Sequence, residues 1–143
     1  MIATYQFATP TYDAAVALRD EVLRRPLGRS IADDDLLAEV DQLHFGFFER
    51  GVLLGTASLQ PTGTRVLKMR QVAVHPDQAG RGIGTLLVRA CEALAKTQGA
   101  AELYCHARAV ARPFYERCGW VLHGCEFEEV GLPHFRMQSG AWR

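Results

Sequence analysis

Lysine is nearly absent from this chain: Lys68 and Lys96 are the only two, and arginine supplies the rest of the basic charge. Sixteen basic residues meet sixteen acidic ones, so the formal net charge is zero. That balance removes the broad positive field that nucleic acid or an anionic membrane surface would need, and neither is expected as a partner. Long apolar runs are missing too. No stretch approaches the roughly 20 residues that span a bilayer. The start, MIATYQFATP, lacks the basic-then-apolar layout of a secretory leader. A cytoplasmic location is the expectation, and reduced thiols with it. Cys91, Cys105, Cys118 and Cys125 include no C-x-x-C pair, which argues for buried free thiols and against a metal site. Repeats and low-complexity tracts are also lacking. The 143 residues suit a single domain, 1–143, built round one core.

What is present reads as alternating elements. IATYQFA has the look of a first strand. TYDAAVALRDEVLRR carries Ala14, Ala17, Leu18 and Val22 at helical spacing, and Pro26 and Gly28 end that helix. RSIADDDLLAEVD is a loop or a short helix. LHFGFFER and VLLGTASLQ, parted by Arg50-Gly51, suggest a hairpin, and RVLKMRQVAV a third strand after a turn at Pro61 to Gly63. A helix over GTLLVRACEALAKTQG shows Leu87, Cys91 and Leu94 on one face, with Gly99 as its stop. AELYCHA is a strand and AVARPFYERCG a short helix. WVLHGCEFEE and PHFRMQS pair as the last two strands. The order predicts an α+β domain with a mixed sheet.

The stretch HPDQAGRGIGTLLV carries the chemistry. It places a strand end, a glycine turn and a helix start in immediate succession. A helix N-terminus offers unpaired N–H groups and the positive end of a dipole, a setting for phosphate. Gly80, Gly82 and Gly84, with Arg81 between them, are suited to wrap a pyrophosphate. The simpler alternative is a tight turn with no ligand. Dinucleotide and Walker patterns both fail: the third glycine position is Thr85 or Leu87, and no Gly-Lys-Ser/Thr follows.

QVAVHPDQAGRGIGTLLV resembles the acetyl-CoA segment of the GNAT acyltransferase family, a strand followed by Q/R-x-x-G-x-G/A and a helix. ARAVARPFYERCGW resembles the family's later A-x-x-x-Y-x-x-x-G-F/W signature. The ending FEEVGLPHFRM and the LRDEVL of the first helix resemble an ElaA-like subgroup. The resemblance covers nearly the whole chain, least well over its first forty residues. It implies a central, twisted, mostly antiparallel sheet flanked by helices, and an acetyl-CoA-dependent N-acetyltransferase. The pantetheine would lie against the backbone of Val72, Ala73 and Val74, where the fourth strand splays from the fifth. The segment Ala79, Gly80, Arg81, Gly82, Ile83 and Gly84 would hold the pyrophosphate. Tyr115 would protonate the leaving thiolate. Two positions depart from the pattern. Ala79 stands where Gln or Arg is usual, with Gln78 one residue early, and Arg108 stands where Asn is frequent.

Acyl transfer to an amine also needs a neutral nucleophile. His134, after Pro133, is the first candidate base, with Glu126, Glu128, Glu39 or water as alternatives. His44 is a candidate for core or cleft, and His106, at a strand end, for lining the cofactor cleft, while His75 reads as a loop start. Phe45, Phe47 and Phe48 suggest an apolar acceptor wall or, more simply, core. Asp33, Asp34 and Asp35 suggest attraction for a cationic amine or a solvated face. The resemblance implies a small-molecule or peptide amine as acceptor. The oligomeric state stays open, a homodimer included. A non-catalytic acyl-CoA-binding module is the alternative reading, and Tyr115 speaks for the enzyme.

Overall fold

The computed structural model describes residues 1–142. Eight strands form one sheet in the order β1-β2-β3-β4-β5-β8-β6, with β7 also paired to β8. They are β1 (Ile2–Tyr5), β2 (Leu43–Glu49), β3 (Val52–Gly63), β4 (Val66–Val74), β5 (Glu102–Arg108), β6 (Val121–Leu122), β7 (Phe127–Glu129) and β8 (Leu132–Gln138). Every pairing is antiparallel except β4 with β5. The helices are α1 (Pro10–Arg19), α2 (Ile83–Thr97) and α3 (Arg112–Arg117). The expected α+β architecture and element order are those observed.

Helix α2 anchors the core. Leu87, Val88, Cys91 and Ala95 are fully buried beside Phe45, Leu59, Met69 and Leu103. The helix comes very close to β3. A Cβ on Gly55 would lie 3.0 Å from both Ile83 Cγ2 and Leu87 Cδ1, so a larger residue there would press on the helix face.

Helix α1 begins with Thr9, whose hydroxyl accepts from the Tyr12 N–H at 3.2 Å. The helix expected through Arg25 stops being α-helical at Arg19. One wider turn, Asp20–Arg24, and a tight turn, Arg25–Leu27, follow, and Gly28 closes them with φ +68°. Such wide turns shift the side chains beyond them relative to a regular helix.

Two strand boundaries differ from expectation. The chain does not turn at Pro61 to Gly63. Strand β3 runs on to Gly63, and Arg65 makes the turn with φ +57°. Pairing with β2 ends at Leu43 and Leu59, so Pro61 lies in an overhang that only β4 borders, where a missing N–H is tolerated. WVLHGCEFEE is not one strand either. Gly124, at φ +85°, interrupts it, and β6 and β7 bind separate stretches of β8.

A buried ion pair fixes α1 and the following loop to the sheet. Arg19 Nη1 and Nη2 donate to Glu39 Oε1 and Oε2 at 2.8 and 2.7 Å, and the Tyr12 hydroxyl donates to Oε1 at 2.8 Å. Burial pushes the Glu39 carboxyl up, but the Arg19 and Tyr12 bonds and the arginine charge outweigh it and hold the group below the usual carboxylate range. Glu39 is therefore committed to structure, and this removes it as a base.

Breaking one side of the pair leaves a buried charge alone. Arg19→Met should lower unfolding stability by about 3–5 kcal/mol, read as a drop in the urea midpoint. Because Glu39 titrates low when folded, its contribution is present above the unfolded carboxylate value of about 4.3 and is lost as pH falls. The acid limb of a stability–pH curve should shrink in the variant.

Candidate active site

The parallel ladder between β4 and β5 is short. It runs from Val66–Glu102 to Met69–Cys105 and then stops. Beyond it, β4 stays paired with β3 through Val74, and β5 stays paired with β8 through Arg108. The two strands part, leaving Gln71–Val74 without a strand partner on the β5 side. The cause is local. Between Ser58–Arg70 and Thr56–Ala73 the register shifts, and β4 carries an extra residue. Gln71 takes φ +58°, which a non-glycine residue adopts at a cost of about 1–2 kcal/mol. Arg24 Nη2 donates to Gln71 Oε1 at 3.3 Å, so the loop after α1 braces the bulge.

A cleft of about 630 Å³ occupies this parting. Val72, Cys105, Arg108, Tyr115 and His134 are among its walls, together with Lys68 and the loop after α1. The fork thus brings together several of the residues expected from sequence. Of the unpaired stretch, Gln71 and Val72 line the cleft and Ala73 and Val74 do not, while Tyr115 and His134 line it from α3 and β8.

The glycine turn follows β4. Gly82 caps α2 with φ +79°, and Gly80 has φ +80°. The first helical bond runs from the Leu86 N–H to the Gly82 carbonyl at 3.0 Å, so the N–H groups of Ile83, Gly84 and Thr85 precede any intrahelical acceptor. No atom lies within 4 Å of a Cβ placed on Gly80 or Gly82, so the loop is open on that side. Unpaired backbone N–H groups at a helix N-terminus are a setting suited to an anion. Arg81 does not aim its side chain into it: its guanidinium forks onto the two carboxylate oxygens of Glu49 at 3.2 and 2.6 Å and also reaches Gln78. Sequence placed Arg81 correctly in the turn but could not see Glu49.

Tyr115 is both cleft wall and core. Its ring packs on Phe114 and Trp120 with centroids 5.1 and 5.4 Å away. Burial pushes its phenol well above the usual range, and the neighbouring Cys105 thiol reinforces the shift. It stays protonated at neutral pH. Burial likewise pushes the Cys105 thiol up to about 12. Cys105 is thus a thiol and not a thiolate nucleophile.

His134 is buried, and its Nδ1 lies 2.9 Å from the Leu132 carbonyl. A carbonyl only accepts, so Nδ1 donates, and in the neutral tautomer the lone pair is on Nε2. Nε2 is 3.6 Å from Glu129 Oε2, and the other oxygen of Glu129 is 3.1 Å from His106 Nδ1. One carboxylate thus stands between two imidazoles. Lys68 Nζ lies 3.1 Å from the same His106 nitrogen. Burial lowers the His106 pKa, against the Glu129 contact. Burial raises the Glu129 carboxyl, but the His106 bond and the surrounding cations outweigh it and hold the group below its ordinary value.

Glu129 was not among the expected residues. Alternation along β7 offered the only signal: Glu128 is exposed, and its neighbour turns to the cleft. Glu126 and Glu128 do not line the cleft, so their candidacy as bases fails on position. His44 is structural, stacked on Tyr5 and Phe7 with Nε2 donating to the Glu39 carbonyl at 3.0 Å. His75 accepts from the Asp77 N–H within its loop. Phe45 is core, Phe47 packs against it, and neither they nor Phe48 forms an acceptor wall. Asp34 is bound by Arg24 at 3.1 and 2.7 Å. Among the described residues, no helix is long and apolar enough to cross a membrane, and no cluster of three or more His, Cys, Asp or Glu could hold a metal ion.

Comparison with known proteins agrees with this geometry. The pattern of the acetyltransferase (GNAT) domain matches residues 12–140. A Bacillus subtilis (strain 168) protein named "Putative acetyltransferase" is 28% identical over 128 residues, which span 86% of this chain and 85% of that one. The crystal structure of Escherichia coli ElaA superposes with a TM-score of 0.81 at 19% identity, over 97% of this chain and 99% of that one. A GNAT family acetyltransferase from Elizabethkingia anophelis with acetyl-CoA bound superposes at 0.70 and 15% identity, over 96% and 94% of the two chains.

The imidazole pair gives a direct test. Nitrogen NMR of His134 should show Nδ1 as the protonated nitrogen of the neutral ring. Glu129→Gln removes a negative charge beside His106, so the His106 pKa should fall further below its ordinary value. An unchanged His106 titration would show that Glu129 does not act on it.

Proposed function

The chain belongs to the acetyltransferase (GNAT) family and is an acetyltransferase enzyme, and on that premise we propose that it moves an acetyl group from acetyl-CoA directly to a primary amine. The observation that carries this reading is the fork between β4 and β5, with an open backbone edge on one side and Tyr115 on its wall. The cofactor fits what the chain offers. The pantetheine arm would lie along Val72, Ala73 and Val74 as an added strand. The pyrophosphate would meet the N–H groups of the turn from Ala79 to Gly84. Side-chain help at Ala79 is not needed for a cradle built from backbone.

The transfer needs one proton to leave nitrogen and one to arrive at sulfur. The amine attacks the thioester carbon, the C–S bond breaks, and the amide forms. His134 Nε2 takes the proton of the amine, with Glu129 orienting the ring and stabilising the imidazolium. Tyr115 donates to the departing thiolate. Its raised pKa suits the role, because the apolar wall that keeps the phenol neutral disfavours a bare thiolate as well. A strand N–H near Val72 would serve the developing oxyanion. The high thiol pKa of Cys105 speaks for direct transfer over an acyl-enzyme. Arg108, on the cleft wall beside Tyr115, would contact the cofactor where the family often has Asn.

Incubation with acetyl-CoA and a panel of primary amines should release free thiol and the N-acetyl product; tight CoA binding without transfer across the panel would instead favour a binding module. Tyr115→Phe should fold, bind CoA nearly as well, and lose roughly 10²–10⁴-fold in kcat with little change in KM. Full activity would return Tyr115 to a packing role. Gly82→Val adds a β-branched side chain at a left-handed position over the cradle, and calorimetry should show weakened CoA affinity in the folded variant. Wild-type affinity would argue against the cradle.

A further inference from the structure

The chain as a whole is neutral, but its cleft is not. Arg24, Arg29, Lys68, Arg70 and Arg108 line it, against Asp33, Asp34 and Glu129. Arg24 and Asp34 cancel in a bidentate pair. Glu129, between two histidines, keeps its negative charge. Among the described residues, Arg70 and Arg108 make no side-chain hydrogen bond or ion pair, and Arg29 bonds only the Val130 carbonyl, at 3.2 Å. The cleft therefore keeps positive charge that the fold does not neutralise. Two groups register it. Burial lowers the pKa of Lys68 and of His106 first and Glu129 opposes it in both, while Arg70 and Arg136 push Lys68 down and Lys68 and Arg136 push His106 down.

The cofactor phosphates do not account for this charge. Their proposed cradle begins beyond the C-terminal end of β4. Lys68 and Arg70 precede the bulge at Gln71, and Lys68 lies in the closed part of the ladder, opposite Tyr104. Arg70 is four residues before Val74, about 13 Å along an extended strand. These two cations face the half of the cleft that remains for the acceptor, near the His106–Glu129–His134 cluster.

We infer that the acceptor is a primary amine carrying an oxyanion, which Arg70 and Lys68 hold while the amine reaches His134. This rests on the proposed acetyl transfer and specifies its second substrate. An arginine fork and a lysine point charge suit a carboxylate or a phosphate-type group. A polycationic acceptor meets repulsion in the same place. The acidic residues do not reverse this: Asp34 is already paired, and Asp33 and Glu129 are outnumbered by Arg29, Lys68, Arg70 and Arg108.

Four amines of matched length separate the alternatives: 4-aminobutyrate, 3-aminopropylphosphonate, 4-amino-1-butanol and 1,4-diaminobutane. With acetyl-CoA, the carboxylate or the phosphonate should exceed the amino alcohol in kcat/KM by about 10-fold, the scale of one charge-assisted bond of about 1.5 kcal/mol, and the diamine should be poorest. The better of the two anions identifies the oxyanion. Arg70→Gln and Lys68→Gln should each erase most of the anion-to-alcohol ratio, a comparison made within one variant. A second readout needs neither turnover nor a variant. Saturating 4-aminobutyrate or the phosphonate should raise the His106 pKa in the wild-type protein, and 4-amino-1-butanol should not. Turnover of the diamine equal to or better than that of the anions would overturn the inference. So would a His106 titration that neither anion moves. A His106 shift with no thiol released from any amine would support the oxyanion site and count against acetyl transfer itself.

Discussion

An extra residue in β4, at a backbone angle that only the surrounding sheet can enforce, is the constraint on which the site depends. With a regular β4, the parallel ladder to β5 would continue past Met69 and close the sheet. The bulge at Gln71 ends it. The facing edges of β4 past Met69 and of β5 past Cys105 are thereby left without a strand between them. An unpaired edge buried against nothing would be a defect. Here it borders a cleft, and backbone groups there are open to a ligand that binds as a strand does.

The parts around the fork support it from different directions. Helix α2 is pressed onto β3 through Gly55, which fixes where its N-terminal turn emerges after β4. Arg19 and Glu39 lock α1 to the loop that follows it, and Arg24 carries that rigidity to the Gln71 side chain. The wide turn after α1 brings Val22, Leu23 and Arg24 to the cleft wall. A buried charge pair is weak evidence for net stability, but it has a direction. Here it determines which way the loop faces.

Electrostatics divides the cleft into halves with different work. At the α3 side, an apolar wall keeps Tyr115 and Cys105 protonated. At the β7–β8 side, a carboxylate stands between His106 and His134, with Arg70 and Arg108 among the cleft walls. The proposed transfer from nitrogen to sulfur would draw on an acid and a base whose environments differ in this way.

Local chemistry made much of this legible in the sequence. Glycines at 80, 82 and 84 after a β-branched strand announce a turn with φ above zero and a helix N-terminus, because few other residues accept that backbone. The 3.6-residue spacing of Leu87, Cys91 and Leu94 marks the buried face of α2. The tyrosine–glycine–tryptophan spacing from Tyr115 to Trp120 marks a short helix ending in a left-handed residue. The element order and the mixed sheet follow from such signals. Tertiary structure alone decided the rest. Arg81 was readable as a cation in a phosphate turn, but its engagement with Glu49 joins residues 32 apart in sequence. Glu39 looked like an available carboxylate until folding placed Arg19 and Tyr12 upon it. Pro61 looked like a turn until the end of β2 left its side of β3 without a partner. Glu129 joined His106 and His134 only once β7 had paired with β8 and β8 with β5. Sequence determines what each residue can adopt or donate within a few positions; which distant charge it meets, and so its pKa and its use, is settled by the pairing of strands far apart in the chain.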